Sequence, residues 1–322
     1  MMIATRRSTR LVAALVAATG LLLAGCGSDT GQGGSKPSRA GAAAVVGDTR
    51  IPLAHIQHRL DAVLDRDPQV KEDLQQRHML DQVSRQIVTV TVRHELIAQA
   101  AAREGLTWDE DQVSKLIEGM GGAEAASQNT IYDASTFRER VRDQLLAVEL
   151  GRKYLNRLTV VADITQVPDR ETAEEKAKQL AAEPDRVAEI LSADEQAGRA
   201  SHVERRMTPG QTPQLASTPL FGVPAGTVVA FPLSGEQTQW LVAYVRERVV
   251  SEEDSTANAV DPDSVEPQIL EAIGLRQLAV LAQEVGVEVS PRYGVWDMTT
   301  MAAVSDENEV AGIQLSARKN ES

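Results

Sequence analysis

Cys26 is the only cysteine in 322 residues, so no disulfide can form within this chain. Its fold must be held by an apolar core alone, and the length is enough for one or two such cores. Leu80, Val83, Ile87, Val90, His94, Ile97 and Ala101 recur at alternating steps of three and four. That stripe predicts one helix from about Val70 to Arg103, closed by Gly105. Inside it, Ile87-Val88-Thr89-Val90-Thr91-Val92 is β-branched and alternating, a local preference for strand. The stripe runs on in helical register on both sides, which decides for helix. His94, on the stripe, reads as a half-buried, hydrogen-bonded core histidine.

The surroundings of Cys26 carry a second message. Arg6, Arg7 and Arg10 precede an uncharged run, Leu11 to Leu23, too short to span a bilayer, and Leu23-Ala24-Gly25-Cys26 ends it. This is the arrangement of a bacterial lipoprotein signal. Residues 1–25 are expected to be removed and the Cys26 thiol to take a diacylglycerol, with acyl chains of the palmitate type. The rest would then work on the extracytoplasmic face of the cell membrane, held by lipid. Two acyl chains suffice for stable attachment. Residues 26–41, rich in Gly, Ser, Lys and Pro, read as a flexible tether.

Without residues 1–25 the chain has 30 basic and 46 acidic residues, a formal charge of −16. Such a chain is a poor partner for nucleic acid, whose phosphates need Lys and Arg. No other stretch has the apolar length to cross a membrane. Aromatic residues make up only 3% of the chain, which argues against a large aromatic-lined ligand pocket. His55 and His58 have a spacing that can hold a metal, but no further ligand joins them, so neither a metal nor a cofactor is expected.

Along the chain, Ala42 to Val46 and Thr49 to Pro52 read as short strands about Gly47-Asp48. A helix is expected from Leu53 to Leu64. Thr107 is expected to cap a short helix reaching Met120, and residues 123–134 to form a loop. Asp133 or Ser135 should cap a helix from Thr136 to Arg157. Then come a strand at Val160 to Val167, helices at Arg170 to Ala182 and after Pro184, and strands at Val229 to Leu233 and Gln239 to Arg246, joined by Ser234-Gly235-Glu236. A last helix is expected over Val265 to Gly286 and a strand at Val287 to Val289.

The stretch from Ala42 to about Arg157 resembles the N-terminal domain of SurA-type periplasmic chaperones and the related PrsA lipoproteins. The resemblance rests on the opening hairpin Val45 to Ile51, the helix end Glu95 to Leu106, the helix opening at Trp108-Asp109-Glu110, and the helix segment Phe137 to Leu146. Residues 159–250 resemble a parvulin-type prolyl isomerase domain in outline. There Val161-Ala162-Asp163-Ile164 stands where active parvulins carry Ala-Ser-His-Ile, so Asp163 occupies the place of the family's histidine. Phe221 matches the loop phenylalanine, but no histidine follows His202 and the Gly-rich strand is missing from 198–216. The resemblance therefore implies a degenerate, catalytically silent domain.

The implied organisation is mainly α: a helical core over 42–158, a small α+β parvulin-like domain over 159–250, and an acidic linker over 251–263. Residues 264–297 would return to complete the core, and 298–322 would be a disordered tail. The implied function is a membrane-anchored chaperone or foldase that binds unfolded or exported polypeptides, with no catalytic residue assigned and the client-binding residues unknown. Met79, Met120 and Met207 are candidates for adaptable client contacts, each with a plain alternative as core filler. Two other readings stay open: a working isomerase with an altered site built on Asp163, His202 and Phe221, and an envelope adaptor lipoprotein with one dedicated partner.

Overall fold

The computed structural model describes residues 40–66, 68–233, 239–254 and 259–318. Two short antiparallel strands open it, β1 (Ala42–Val46) and β2 (Thr49–Pro52), turning at Gly47, whose φ of +59° costs a residue without Cβ nothing. Six helices follow: α1 (Leu53–Leu64), α2 (Pro68–Gln76), α3 (Leu80–Glu104), α4 (Glu110–Gly119), α5 (Ala123–Ser127) and α6 (Ala134–Leu155).

The single helix expected over 70–103 is thus two. His78 adopts φ +56°, its N–H donates to the Gln75 carbonyl, and the Met79 N–H donates to the Leu74 carbonyl. This is a Schellman ending with a histidine where glycine is usual, and apolar periodicity does not register it. Helix α3 keeps the β-branched run helical because it is enclosed on several sides. It packs against β1, α1 and α6, and buries Ile87, Val88, Val92, Leu96, Ile97, Ala100 and Ala101. The buried face is wider than the expected stripe and is turned toward Val88, Val92 and Leu96, leaving Val83, Val90 and His94 only partly covered.

Asp109, not Thr107, caps α4, accepting the Asp111 N–H at 2.9 Å from an extended backbone. Asp133 caps α6 in a reciprocal box with Thr136: its carboxylate accepts the Thr136 N–H at 2.8 Å, and its own N–H donates to the Thr136 hydroxyl at 2.9 Å.

The next elements are β3 (Leu158–Val167), α7 (Arg170–Ala182), α8 (Val187–Gln196), β4 (Ser201–Met207), α9 (Pro213–Ala216), β5 (Thr227–Pro232) and β6 (Trp240–Val250). The expected turn Ser234-Gly235-Glu236 lies outside the described residues, but β5 and β6 pair antiparallel on either side of it. The chain closes with α10 (Pro267–Val285), β7 (Val287–Val289), β8 (Val295–Asp297), β9 (Ala302–Val304) and β10 (Ile313–Ser316).

A five-stranded antiparallel sheet has the order β10-β5-β6-β3-β4. Alternation separates its faces. Val228, Ala230 and Val242 lie under Ala173, Ala177, Leu180 and Leu191 of α7 and α8. Val229, Phe231, Leu241 and Ala243 form the other core with Met207, Leu220 and Phe221. The fold is therefore mainly helical with a small α+β part.

Helix α10 joins the two parts. It crosses α6 so closely that a Cβ on Gly151 would lie 1.9 Å from the Leu270 carbonyl oxygen, and one on Gly274 would lie 1.9 Å from that of Ala147. Its Leu278, Ala279, Leu281 and Ala282 share a core with Ile56, Ile87, Leu96 and Leu150. Beyond it, β7 pairs with β1 to complete a three-stranded sheet, β2-β1-β7.

The expected disordered tail over 298–322 is corrected by residues 298–318. Strand β9 pairs with β8, and β10 adds to β5 with Ile313 opposite Ala230 and Leu315 opposite Val228. The segment has too short an apolar pattern to announce itself; its order comes from a free sheet edge far away in sequence.

Candidate functional site

A broad concavity lies where α1, α2 and α3 meet the segment from α5 to α6. Its volume is about 830 Å3. Val63, Val70, Leu74, Val83 and Ile131 make it apolar, and Arg66, Gln86 and Asn129 edge it. Helix α2 forms one wall and buries no residue of its own, so its Val70 and Leu74, one turn apart, face open space.

Arg66 fixes the opposite wall. Its Nη1 donates to the carbonyls of Ser127 (3.0 Å) and Tyr132 (2.7 Å), and its Nη2 to that of Thr130 (2.6 Å). One side chain thus holds three carbonyls of a segment with little regular structure. Tyr132 continues the wall. It meets Phe137 edge-on with centroids 6.3 Å apart, and the Arg59 and Arg140 guanidinium carbons lie 5.8 and 5.9 Å from its ring centroid. Burial pushes the Tyr132 phenol up, with the neighbouring arginines opposing. The lining includes no His, Cys or Asp, and the Ser127 and Thr130 hydroxyls donate to backbone carbonyls. The groove is suited to holding an apolar segment, not to covalent chemistry.

A smaller apolar patch lies on α4 and the turn before it. Trp108, Leu116 and Met120 are 45%, 41% and 44% exposed. Of the methionines considered as contacts, Met120 is therefore available, Met79 is half-buried and Met207 is core.

The three candidates for an altered isomerase site differ in their surroundings, although His202 pairs with Ile164 next to Asp163. Phe221 is fully buried in the sheet core. His202 is exposed on β4. Asp163 is fully buried at a double irregularity of the sheet: β3 shifts register against β4 between Ala162 and Ile164, and against β6 between Val161 and Ala162. Its Oδ1 accepts the Glu204 N–H at 2.8 Å, and its Oδ2 accepts Arg246 Nε at 2.6 Å. It supplies acceptors where the ladder lacks them, and Glu204 at φ +51° belongs to the same irregularity.

His94 Nδ1 donates to the Asp143 carboxylate at 2.9 Å, a bond that raises its pKa against partial desolvation. His55 and His58 are exposed on α1, and His55 is held low by desolvation first and then by Arg59. Among the described residues no group of three His, Cys, Asp or Glu is placed to hold a metal. Cys26 lies outside the described residues.

Sequence reasoning assigned none of the groove residues to client binding; Val70 and Val83 entered it only as helix positions. The signal available was Pro68 to Gln76, a polar helix whose two apolar side chains, Val70 and Leu74, have no apolar stripe to join.

A family model described as the SurA-like N-terminal domain matches residues 1–162. The chain belongs to that family. The match spans β1 to α6 and runs into β3, and so includes every element of the groove. Two solved structures are similar at a low level. The foldase protein PrsA from Lactococcus lactis has 12% identity, with 77% of this chain and 94% of that chain covered, at a TM-score of 0.25. The PrsA foldase from Streptococcus pneumoniae has 12% identity, with 74% and 89% covered, at a TM-score of 0.20. At those scores neither bears on the fold. No curated protein matches the chain.

Proposed function

We propose that this SurA-like chain is a lipid-anchored extracytoplasmic chaperone, which holds apolar segments of unfolded or exported polypeptides in the groove between α1, α2, α3 and the segment after α5, without isomerase catalysis. The observation that carries the reading is α2: a helix of the family's own domain that buries nothing and turns Val70 and Leu74 into an apolar groove. Anchoring rests on the Leu23-Ala24-Gly25-Cys26 arrangement, and among the described residues no helix is long and apolar enough to cross a membrane. Catalytic silence is supported by Asp163 being spent on Glu204 and Arg246, and by Phe221 being fully buried.

The test is light scattering of an unfolded, aggregation-prone client with increasing amounts of the purified chain. Suppression near stoichiometric ratios, lost in Val70→Asp/Leu74→Asp, is expected. Because α2 buries no residue, that variant should fold as the parent does. No suppression by the parent chain overturns the general holdase reading and moves the weight to an adaptor with one partner, to be sought by crosslinking in the native envelope. A proline-limited refolding assay addresses catalysis: acceleration abolished by Asp163→Asn would favour the altered isomerase.

A further inference from the structure

Arg93 on α3 and Arg276 on α10 line one small cavity of about 170 Å3, together with Ser217 and Thr300 and an apolar wall of Ala272, Leu275, Leu278 and Met301. Both are half-buried, and both spend part of the guanidinium on neutral acceptors. Arg93 donates Nε to the Met301 carbonyl (2.8 Å) and Nη2 to that of Thr300 (2.9 Å). Arg276 donates Nε to the Ser217 carbonyl (3.0 Å) and Nη1 to that of Thr299 (2.9 Å). None of these bonds uses Arg93 Nη1 or Arg276 Nη2.

Charge is unbalanced here. Among the described residues neither arginine is ion-paired with a carboxylate, although the chain has 46 acidic residues against 33 basic. Asp297 is the one carboxylate whose field reaches Arg276. Its Oδ1 accepts the Thr299 N–H (2.8 Å), and its Oδ2 accepts the Thr300 hydroxyl (2.7 Å) and the Ala311 N–H (3.0 Å). The carboxylate that acts on Arg276 is thus already committed to the 297–311 loop, and among the described residues no carboxylate acts on Arg93. Desolvation lowers both arginines, and Arg276, repelled also by Arg93, is pushed to about 10. A bound anion would relieve both effects.

We infer that this cavity is a binding site for one small oxyanion, a carboxylate or a phosphate, gripped by Arg93 Nη1 and Arg276 Nη2. Guanidinium groups are the side chains best shaped for such ligands. The volume corresponds to about five or six waters, room for one such group and little more. The anion comes either from a peptide carboxylate or from free solute.

The test titrates the full chain, at constant ionic strength, with inorganic phosphate, with acetate, and with a short peptide bearing either a free or an amidated C-terminus. Arginine Nε resonances and the melting temperature are followed. Two variants accompany it: Arg276→Gln removes one grip, and Ala272→Leu fills the cavity while leaving both arginines and their loop bonds. Saturable binding, weakened at least about tenfold in Ala272→Leu with its circular dichroism unchanged, is expected. Preference for the free over the amidated peptide assigns a peptide carboxylate, and preference for phosphate assigns a free anion. Absence of saturation with all four probes, or unchanged affinity in a folded Ala272→Leu, overturns the proposal.

Discussion

Gly274→Ala places a methyl group where α10 touches α6. On an exposed helix that change stabilises by about 1 kcal/mol. Here the new Cβ would lie 1.9 Å from the Ala147 carbonyl oxygen, where ordinary contact begins near 3.4 Å. The clash is with backbone, so no rotamer change removes it, and the helices must part by roughly an ångström or more. A gap of that size forfeits about a quarter to a half of the dispersion well of the side chains across it. Leu150, Leu155, Leu270 and Ile273 are the large buried residues at this crossing. At about 2 kcal/mol for each fully buried side chain, the loss is about 2–4 kcal/mol. Subtracting the propensity gain leaves a net destabilisation of about 1–3 kcal/mol. Urea unfolding read by circular dichroism measures it. Gly151→Ala, whose Cβ meets the Leu270 carbonyl at the same distance, should behave alike. Because one parting of the helices accommodates both methyls, the double variant should cost clearly less than the two single changes added together. A Gly274→Ala chain as stable as the parent would refute the claim that α6 and α10 are in backbone contact.

Asp163→Ala should destabilise by about 3 kcal/mol by leaving Arg246 and the Glu204 N–H without their acceptor, and Asp163→Asn by less; denaturant midpoints check both. His78→Gly should stabilise by about 1 kcal/mol, since glycine reaches φ +56° without strain, and a loss on urea titration would contradict the Schellman reading. The raised pKa of His94 makes its bond to Asp143 a pH-dependent contribution. It should be fully present below His94's ordinary value of 6.5 and fade as pH rises through the higher folded-state value. Asp143→Asn should therefore lower the urea midpoint at pH 5.5 and leave it nearly unchanged at pH 9.

The long-range order of this chain was readable where one pattern served one element. Ile87 to Ala101 gave α3, Asp133 gave the start of α6, and Ile269 to Val285 gave α10, with β7 behind it. What escaped depends on partners distant in sequence. Residues 298–318 carry few apolar positions and acquire structure only by reaching β8 and the edge of β5. The break at His78 is a hydrogen-bonding event that apolar periodicity passes over. The groove was invisible for a related reason: a helix that buries nothing leaves no stripe, and Arg66 finds its three carbonyls more than 60 residues ahead. Asp163 drew notice only as a departure from the parvulin pattern; the coordinates show it accepting Glu204 N–H and Arg246 Nε at a double irregularity of the sheet.

The pairing of β1 with β7 has a consequence for how this protein is made. Val46 faces Val287, so β1, once synthesised, waits for a strand about 240 residues behind it. At about 5–20 residues per second that delay is on the order of ten to fifty seconds. Strand β10 prolongs it, since the large sheet lacks an edge until Ser316 arrives. An interrupted copy would lack a strand in both sheets and the helix that joins them. A chain that stops before β7 and β10 thus leaves one edge of β1 and one edge of β5 without the strands that pair with them.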